Sequence, residues 1–262
     1  MKVVMKQLLL GTLASALFAV TSHASTPASD NAGNYAGGTW TNGANAGTGF
    51  GNWIFGSPVN SGQFLGNSTS NAGGTSGGIN TSGQAWGMFA NTSATADATR
   101  PFIGALSLGQ SVVIDLDNGF IDNGATVGLG LQNSSSQNRI EFFFTGGQTS
   151  YTIQTASGTA SGVPFTGDGL RLTFTLTGTG DTMDLTVGSL NGSNGGTNSF
   201  FSNIGLNNSG GIDRIRLFNF NAGSGGNKDA FYNNLAIVPE PSTMVLVGCG
   251  LVGAWFLRRR QT

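Results

Sequence analysis

The stretch Leu170-Arg171-Leu172-Thr173-Phe174-Thr175-Leu176-Thr177 decides the fold class, because leucine or phenylalanine alternates strictly with arginine or threonine. Successive side chains of a β-strand point to opposite faces, so this pattern predicts a strand with one buried and one solvated face. Similar alternation recurs in seven further segments, 111–116, 126–131, 139–145, 150–155, 183–187, 211–218 and 231–238. No helical period interrupts them. The pattern therefore predicts an all-β protein.

Short turn sequences separate these segments. Asp117-Asn118-Gly119, Asp122-Asn123-Gly124 and Gly146-Gly147 supply residues that adopt positive φ in tight turns. Regularly spaced antiparallel strands with such turns indicate a β-sandwich or a barrel. We favour an antiparallel β-sandwich of jelly-roll type, because bulky side chains are available to fill a core between two sheets, namely Phe142, Phe144, Phe174, Phe218 and Phe220.

The N-terminal segment is typical of a secretory signal peptide. Lys2 and Lys6 precede an apolar run from residue 8 to residue 20, and the small residues Ser22 and Ala24 follow. We predict a signal peptide over residues 1–24, with a retained membrane anchor as the alternative. Residues 25–38 are predicted to be a flexible lead and residues 39–238 a single β-sandwich domain, in which the glycine-rich stretch 67–78 forms a long loop.

The C-terminal segment combines a proline motif, an apolar run and a basic cluster. Pro239-Glu240-Pro241 is followed by residues 244–257, which carry no charge, and then by Arg258, Arg259 and Arg260. The run predicts one short transmembrane helix whose arginines reach the headgroups. A buried helix of the globular fold is the alternative. Since basic residues stay on the cytoplasmic side, the rest of the chain would face outward from the inner membrane.

The order of these features resembles the PEP-CTERM sorting domain, which would then occupy residues 239–262. The resemblance implies cleavage by signal peptidase, a transient stay in the inner membrane, and processing by an exosortase that recognises Pro239, Glu240 and Pro241. It also implies delivery to the cell surface or extracellular matrix of a Gram-negative bacterium that makes exopolysaccharide. Two prolines disfavour helix in the residues before them, which suits an extended recognition segment.

The segment 86–238 also resembles concanavalin A-like β-sandwiches. The similarity lies in the Asp-Asn-Gly turns, in Gly167-Asp168-Gly169-Leu170-Arg171, and in the closing stretch Phe231-Tyr232-Asn233-Asn234-Leu235. Catalytic members of that group use an E-x-D-x-x-E pattern. Glu141 is the only glutamate between residues 25 and 238, so the pattern is absent and a glycan hydrolase is disfavoured.

Charge and residue usage exclude several further functions for residues 25–238. Eleven acidic residues face six basic ones, which does not suit a nucleic-acid partner. The only histidine, His23, and the only cysteine, Cys249, lie outside this body. It therefore contains no Ser-His-Asp or Cys-His nucleophile, no zinc site of the Cys/His type and no disulfide.

Clustered carboxylates supply the candidate metal and catalytic residues. Asp115, Asp117 and Asp122 offer hard oxygen ligands that could hold Ca²⁺, with a strand end carrying two Asx turns as the alternative. Asp181 and Asp184 could form a glycosidase pair, or they could be charges of a turn and a strand edge.

Three tryptophans are the candidates for sugar binding. Trp40, Trp53 and Trp86 could present ring faces to pyranose rings, and a role in the core is the alternative. Three functions remain open at this point. The first is a non-enzymatic surface or matrix protein whose sandwich binds or organises exopolysaccharide, the second a carboxylate-dependent glycan hydrolase or lyase, and the third a purely structural coat protein.

Overall fold

The computed structural model describes residues 27–56, 59–71, 78–178, 181–190 and 198–239. In this part of the chain the regular structure consists of β-strands and short 3-10 turns, without an α-helix. The predicted all-β class is therefore confirmed. The strands are β1 (Ala28–Asp30), β2 (Ile54–Gly56), β3 (Ser61–Gly66), β4 (Ala85–Ala90), β5 (Thr95–Pro101), β6 (Ser111–Asn118), β7 (Thr126–Gln132), β8 (Asn138–Thr145), β9 (Ser150–Thr155), β10 (Gly158–Pro164), β11 (Leu170–Leu176), β12 (Thr182–Ser189), β13 (Ser199–Gly205), β14 (Arg214–Phe220) and β15 (Ala230–Val238).

Two antiparallel sheets pack face to face. Sheet one has the order β13-β12-β11-β6-β15-β4-β3, and β1 pairs with β15 beside this path. Sheet two has the order β10-β9-β8-β7-β14-β5-β2. Strands β7 to β10 follow one another in sheet two as a meander, whereas β14 and β5 join it from distant parts of the sequence. The predicted antiparallel sandwich is confirmed.

The alternating stretch that begins at Leu170 forms β11 near the middle of sheet one. Leu172 pairs with Ile114 of β6 and Val187 of β12, and all three side chains are buried between the sheets. The intervening Arg171 and Thr173 point to the outer face, where they are exposed and half-buried. The period-two alternation therefore predicted both the strand and the face of it that lies in the core.

The N-terminal lead differs from its prediction. Residues 25–38 were expected to be flexible, but β1 pairs in register with β15, with Ala28 opposite Ile237. Asp30 lies in the core and forms an ion pair of 2.9 Å with Arg100 of β5. Residues 28–30 are therefore part of sheet one, and they supply the counter-charge for a buried arginine.

Several predicted segments lie outside the described residues. They are the signal peptide 1–24, Glu240 and Pro241 of the motif, the apolar run 244–257, and residues 72–77 of the predicted long loop. Among the residues described, no helix has the length and apolar character needed to span a bilayer. The last residue of the body that the structure places is Pro239, directly after β15.

Candidate functional site

The three aspartates proposed for Ca²⁺ have three separate sets of partners. Asp115 is buried, accepts a hydrogen bond of 2.7 Å from Arg171 Nε, and accepts another of 2.7 Å from Asn234 Nδ2. Asp122 is exposed and pairs with Lys228. Across the described ranges, no three His, Cys, Asp or Glu side chains gather as a metal site would require. The structure therefore does not bring the three carboxylates together, since each has partners of its own.

Asp117 occupies a different environment beneath residues 68–71. Its carboxylate accepts a hydrogen bond from the Asn71 side chain and is almost fully buried. Burial raises the pKa of Asp117 to about 6, hydrogen bonding by Asn71 and Ser68 opposes this rise, and the charge of Asp168 adds to it. Asp117 therefore belongs to the contact between sheet one and the segment that covers its outer face.

The three tryptophans lie in the core and present no ring face to solvent. Trp53 and Trp86 pack edge to face with ring centroids 5.1 Å apart, and Trp40 stacks on Trp86 at 6.0 Å. Trp53 Nε1 donates a hydrogen bond of 2.9 Å to the hydroxyl of Tyr35. These rings bury a large apolar area, which is the arrangement that the alternative of a core role predicts.

The suggested glycosidase pair is also separated. Asp181 forms an ion pair with Arg139, whereas the carboxylate of Asp184 accepts a hydrogen bond of 2.8 Å from the backbone N–H of Asn203. Each carboxylate therefore stabilises its own turn or strand edge.

The outer face of sheet two carries a cluster of aromatic and charged side chains that the sequence analysis missed. Strand register places Phe143 of β8, Gly128 of β7, Phe218 of β14 and Asp97 of β5 in one row. Residues directly opposite each other in antiparallel strands share a face, so these side chains point the same way. We call this surface the aromatic face, and it consists of Asp97, Glu141, Phe143, Arg216, Phe218 and Phe220.

Arg216 is the centre of the aromatic face. Its guanidinium lies 5.5 Å from the ring centroid of Phe218 and 5.1 Å from that of Phe220, and these rings stack at 4.9 Å. Arg216 Nε donates a hydrogen bond of 2.6 Å to Asp97. Both side chains of this ion pair are partly exposed. Two rings and one carboxylate therefore contact the guanidinium. Some of its N–H donors remain available for further hydrogen bonds.

Two glycines of β7 leave the middle of this face without side chains of its own. Gly128 lies between Phe143 and Phe218, and Gly130 lies between Glu141 and Arg216. A Cβ atom at Gly128 would come within 2.3 Å of the Phe142 carbonyl oxygen. The line of Gly128 and Gly130, which we call the trough, has no side chains of its own. Its neighbours cover it, since both glycines are buried and the rings of Phe143 and Phe218 approach over Gly128 to a centroid distance of 6.5 Å.

The half-buried carboxylate of Glu141 lies beside the trough, next to Gly130. Burial raises the pKa of Glu141, while a hydrogen bond from Asn138 and the charge of Arg216 oppose the rise. Gln154 lies opposite Glu141 on β9 and adds an amide to the same row. The face thus combines apolar rings with carboxylate, guanidinium and amide groups, as polar ligands with apolar faces require.

A signal for this face was present in the sequence. In Arg214-Ile215-Arg216-Leu217-Phe218 the charged or aromatic residues occupy every second position, and Ile215 and Leu217 are buried. In β8, Glu141 and Phe143 likewise occupy every second position, and Phe142 between them is buried. What sequence alone could not supply was the adjacency of β14 and β7, which are far apart in the chain.

Comparison with protein families found one match. Residues 238–260 match the PEP-CTERM protein-sorting motif. The resemblance that Pro239, Glu240, Pro241 and the arginine cluster carried is therefore confirmed. A motif of this kind marks an exported surface protein that an exosortase processes. A search of curated protein sequences found no match.

Solved structures with related architecture are β-sandwich proteins. A sialidase matches with a TM-score of 0.50 and 14% identity, over 73% of this chain and 17% of the sialidase. The Crh5 transglycosylase matches with a TM-score of 0.42 and 11% identity over 72% of this chain and 88% of its own. The Caenorhabditis elegans galectin LEC-6 matches with a TM-score of 0.34 and 13% identity, over 53% of this chain and 89% of the galectin. This chain spans about a sixth of the sialidase, and at such identity the similarity shows the fold alone.

Proposed function

We propose that this chain is an exported cell-surface or extracellular-matrix protein whose non-catalytic sandwich binds exopolysaccharide on the aromatic face. The proposal rests on one observation, the convergence of the partly exposed Phe143, Phe220, Arg216 and Asp97 on the outer surface of sheet two, around the buried ring of Phe218. Rings offer apolar surface to the C–H groups of a sugar, and charged groups form strong hydrogen bonds to its hydroxyls.

The charges of the aromatic face favour a neutral polysaccharide. Arg216 is already paired with Asp97, so its positive charge is largely compensated within the face. Glu141 adds a carboxylate and Gln154 a neutral amide in the same row. An acidic polymer would be repelled by the carboxylates, whereas a chain of neutral sugars finds donors and acceptors along the aromatic face.

The partner of Asp97 supports a binding function over hydrolysis. Its carboxylate is held in an ion pair with Arg216, which suits a positioning role better than a reacting one. A carboxylate-dependent hydrolase or lyase is the second candidate, and a structural coat protein without a glycan ligand is the third.

The route to the surface follows from the matched motif. We propose that the sandwich is of the jelly-roll, concanavalin A-like type and that it faces the periplasm while residues 244–257 hold it in the inner membrane. An exosortase then acts at Pro239-Glu240-Pro241 and releases the body. Alanine at all three motif positions should leave the body in the inner membrane fraction, and normal release of that variant would contradict the sorting route.

Affinity electrophoresis of the purified body in gels containing a neutral β-glucan, a galactan or a mannan tests the binding function. We expect at least one polymer to retard the wild type, and Phe220→Ala and Arg216→Gln to lose that retardation. Thr173→Ala is the matched control, since Thr173 points outward from the opposite sheet. Equal retardation of all four proteins would exclude the aromatic face as the binding surface. Shortening of the polymer during incubation would instead favour the enzyme.

A further inference from the structure

One end of the sandwich is apolar and lies where the chain leaves for its C-terminal tail. β15 ends at Val238, which pairs with Ser111 at the start of β6. The loop between β5 and β6, residues 102–110, lies at the same end and contains no charged residue. We call this region the tail end. Both ends of the described body emerge there, because Ala28 of β1 pairs with Ile237 of β15.

Large apolar side chains stand out from the tail end into solvent. Ile103 is 75% exposed, Leu108 is 56% exposed and Val238 is 45% exposed. The backbone around them is fixed, since Phe102 N–H donates to the Asp213 carbonyl at 2.7 Å and Leu106 N–H donates to the Ile212 carbonyl at 2.8 Å. An ordered loop that holds two exposed aliphatic side chains costs solvation free energy unless something covers it.

Ion pairs compensate part of the charge near this end. Asp213 is bonded to Arg214 at 3.0 Å, and Asp181 pairs with Arg139. Asp184, three strands from Val238 in the same row, accepts a hydrogen bond from the Asn203 N–H. The part of the tail end formed by Val238 and residues 102–110 therefore presents apolar side chains without a charge among them. Such a surface suits the boundary between headgroups and acyl chains better than it suits a charged protein partner.

Chain length brings this surface close to the bilayer. Only five residues, 239–243, separate Val238 from the apolar run that begins at Met244. A fully extended chain covers about 3.5 Å per residue, so the connection spans at most about 20 Å. With the run inserted in the membrane, Ile103 and Leu108 are brought within reach of the headgroup region.

We propose that the tail end, through Ile103, Leu108 and Val238, is a lipid-contacting surface that rests on the membrane while the tail is attached. This inference rests on the proposed function, because it needs residues 244–257 to anchor the chain. It adds a defined orientation to that function. The long axis of the strands stands on the membrane, and both the sorting motif and the first residues of the mature chain face the bilayer.

Fluorescent labels on the full-length chain test this contact. The chain is purified from membranes of a host without exosortase, with Cys249→Ala, and reconstituted in vesicles of phosphatidylethanolamine and phosphatidylglycerol. The dye NBD is attached at Ile103→Cys or at Leu108→Cys. Phe120→Cys is the matched control, because Phe120 is 58% exposed in the loop that follows the opposite end of β6. We expect blue-shifted emission and quenching by brominated lipids at positions 103 and 108 only.

Failure of the contact and failure of the anchor give different results. If the chain resists alkaline carbonate extraction but the labels at 103 and 108 emit like the label at 120, the lipid-contacting surface is wrong and the anchor stands. If carbonate extracts the chain from the vesicles, both proposals are overturned. A blue shift that appears only after an exosortase is added would indicate contact with that protein instead of with lipid. It would also overturn the inference.

Discussion

The guanidinium of Arg100 donates a hydrogen bond of 2.9 Å to Asp30, and neither side chain has any exposed surface. Arg100 belongs to β5 of sheet two and Asp30 to β1 of sheet one, so one ion pair joins the two layers. The hydroxyl of Tyr35 donates to Asp30 and the side-chain oxygen of Asn45 accepts from Arg100, whereas the buried Arg100 Nε has no hydrogen-bond partner among the described residues. The first strand of the described residues is therefore part of the core.

Removing Asp30 should be costly. Asp30→Ala leaves a buried guanidinium without its counter-charge, and we expect a loss of about 3 to 5 kcal/mol in the free energy of unfolding. Urea unfolding of the body measures this loss. Asp213→Ala is the matched control, because its ion pair with Arg214 is partly exposed and should contribute about 1 kcal/mol or less. Similar losses in both variants would contradict the structural role of the buried pair.

A methyl group at Gly128 should disturb the aromatic face without removing any of its side chains. Its Cβ would lie 2.3 Å from the Phe142 carbonyl oxygen and 2.5 Å from Phe143 Cβ, so the backbones of β7 and β8 must separate. We expect Gly128→Ala to lower stability by roughly 1 to 3 kcal/mol and to weaken polysaccharide retardation.

The control for Gly128 is another glycine with free space around it. A Cβ at Gly104 meets no atom within 4 Å, so Gly104→Ala should change stability by about 0.5 kcal/mol or less. Thermal unfolding followed by circular dichroism compares the two variants. Full retention of stability and of retardation by Gly128→Ala would show that the trough does not need to be free of side chains.

The contribution of Asp229 to stability should fall as pH rises through the acidic range. Burial raises the pKa of Asp229 to about 7, well above the value near 4 of an unfolded chain. The folded state therefore binds this proton more tightly, so the contribution of Asp229 to the free energy of unfolding is most favourable below pH 4 and declines until about pH 7. Asp229→Asn should flatten this decline and exceed the wild type in stability at pH 8.

Urea unfolding at pH 4, 6 and 8 measures the effect of Asp229→Asn. Part of the decline should remain in the variant, because the pKa of Asp117 is also raised, to about 6. Asn227→Ala, an exposed neighbour of Asp229, serves as the control that removes no carboxyl group. Parallel pH curves for wild type and Asp229→Asn would show that Asp229 ionises without cost in the folded state.

The strands that could be predicted from the sequence are those in which period-two alternation is strong. Segments around Leu172, Phe142 and Ile153 were placed correctly because each hydrophobic side chain marks a core position. β1 escaped prediction, since it is three residues long and carries Asp30 on its buried side. A charged residue in the core has no hydrophobic signature, and its partner Arg100 lies 70 positions away.

The surroundings of the candidate site residues could not be predicted for a related reason. Trp40, Trp53 and Trp86 are buried in the core, and Asp115, Asp117 and Asp122 have separate partners. The aromatic face depends instead on the register of β8, β7, β14 and β5. Non-local strand pairing of this kind is invisible to a pattern read along the chain, whereas the sorting motif is contiguous and was found directly.

The position of β15 also determines when folding can finish. β15 is the last strand of the described residues, and its partners β1, β4 and β6 all precede it by long stretches of chain. A polypeptide that emerges N-terminus first keeps those edges unpaired until residues 230–238 are available, because distant strands pair late and at high entropic cost. The matched motif begins at residue 238. Closure of the sheet and appearance of the sorting signal thus coincide, and a truncated chain that cannot complete its sheet also lacks the signal.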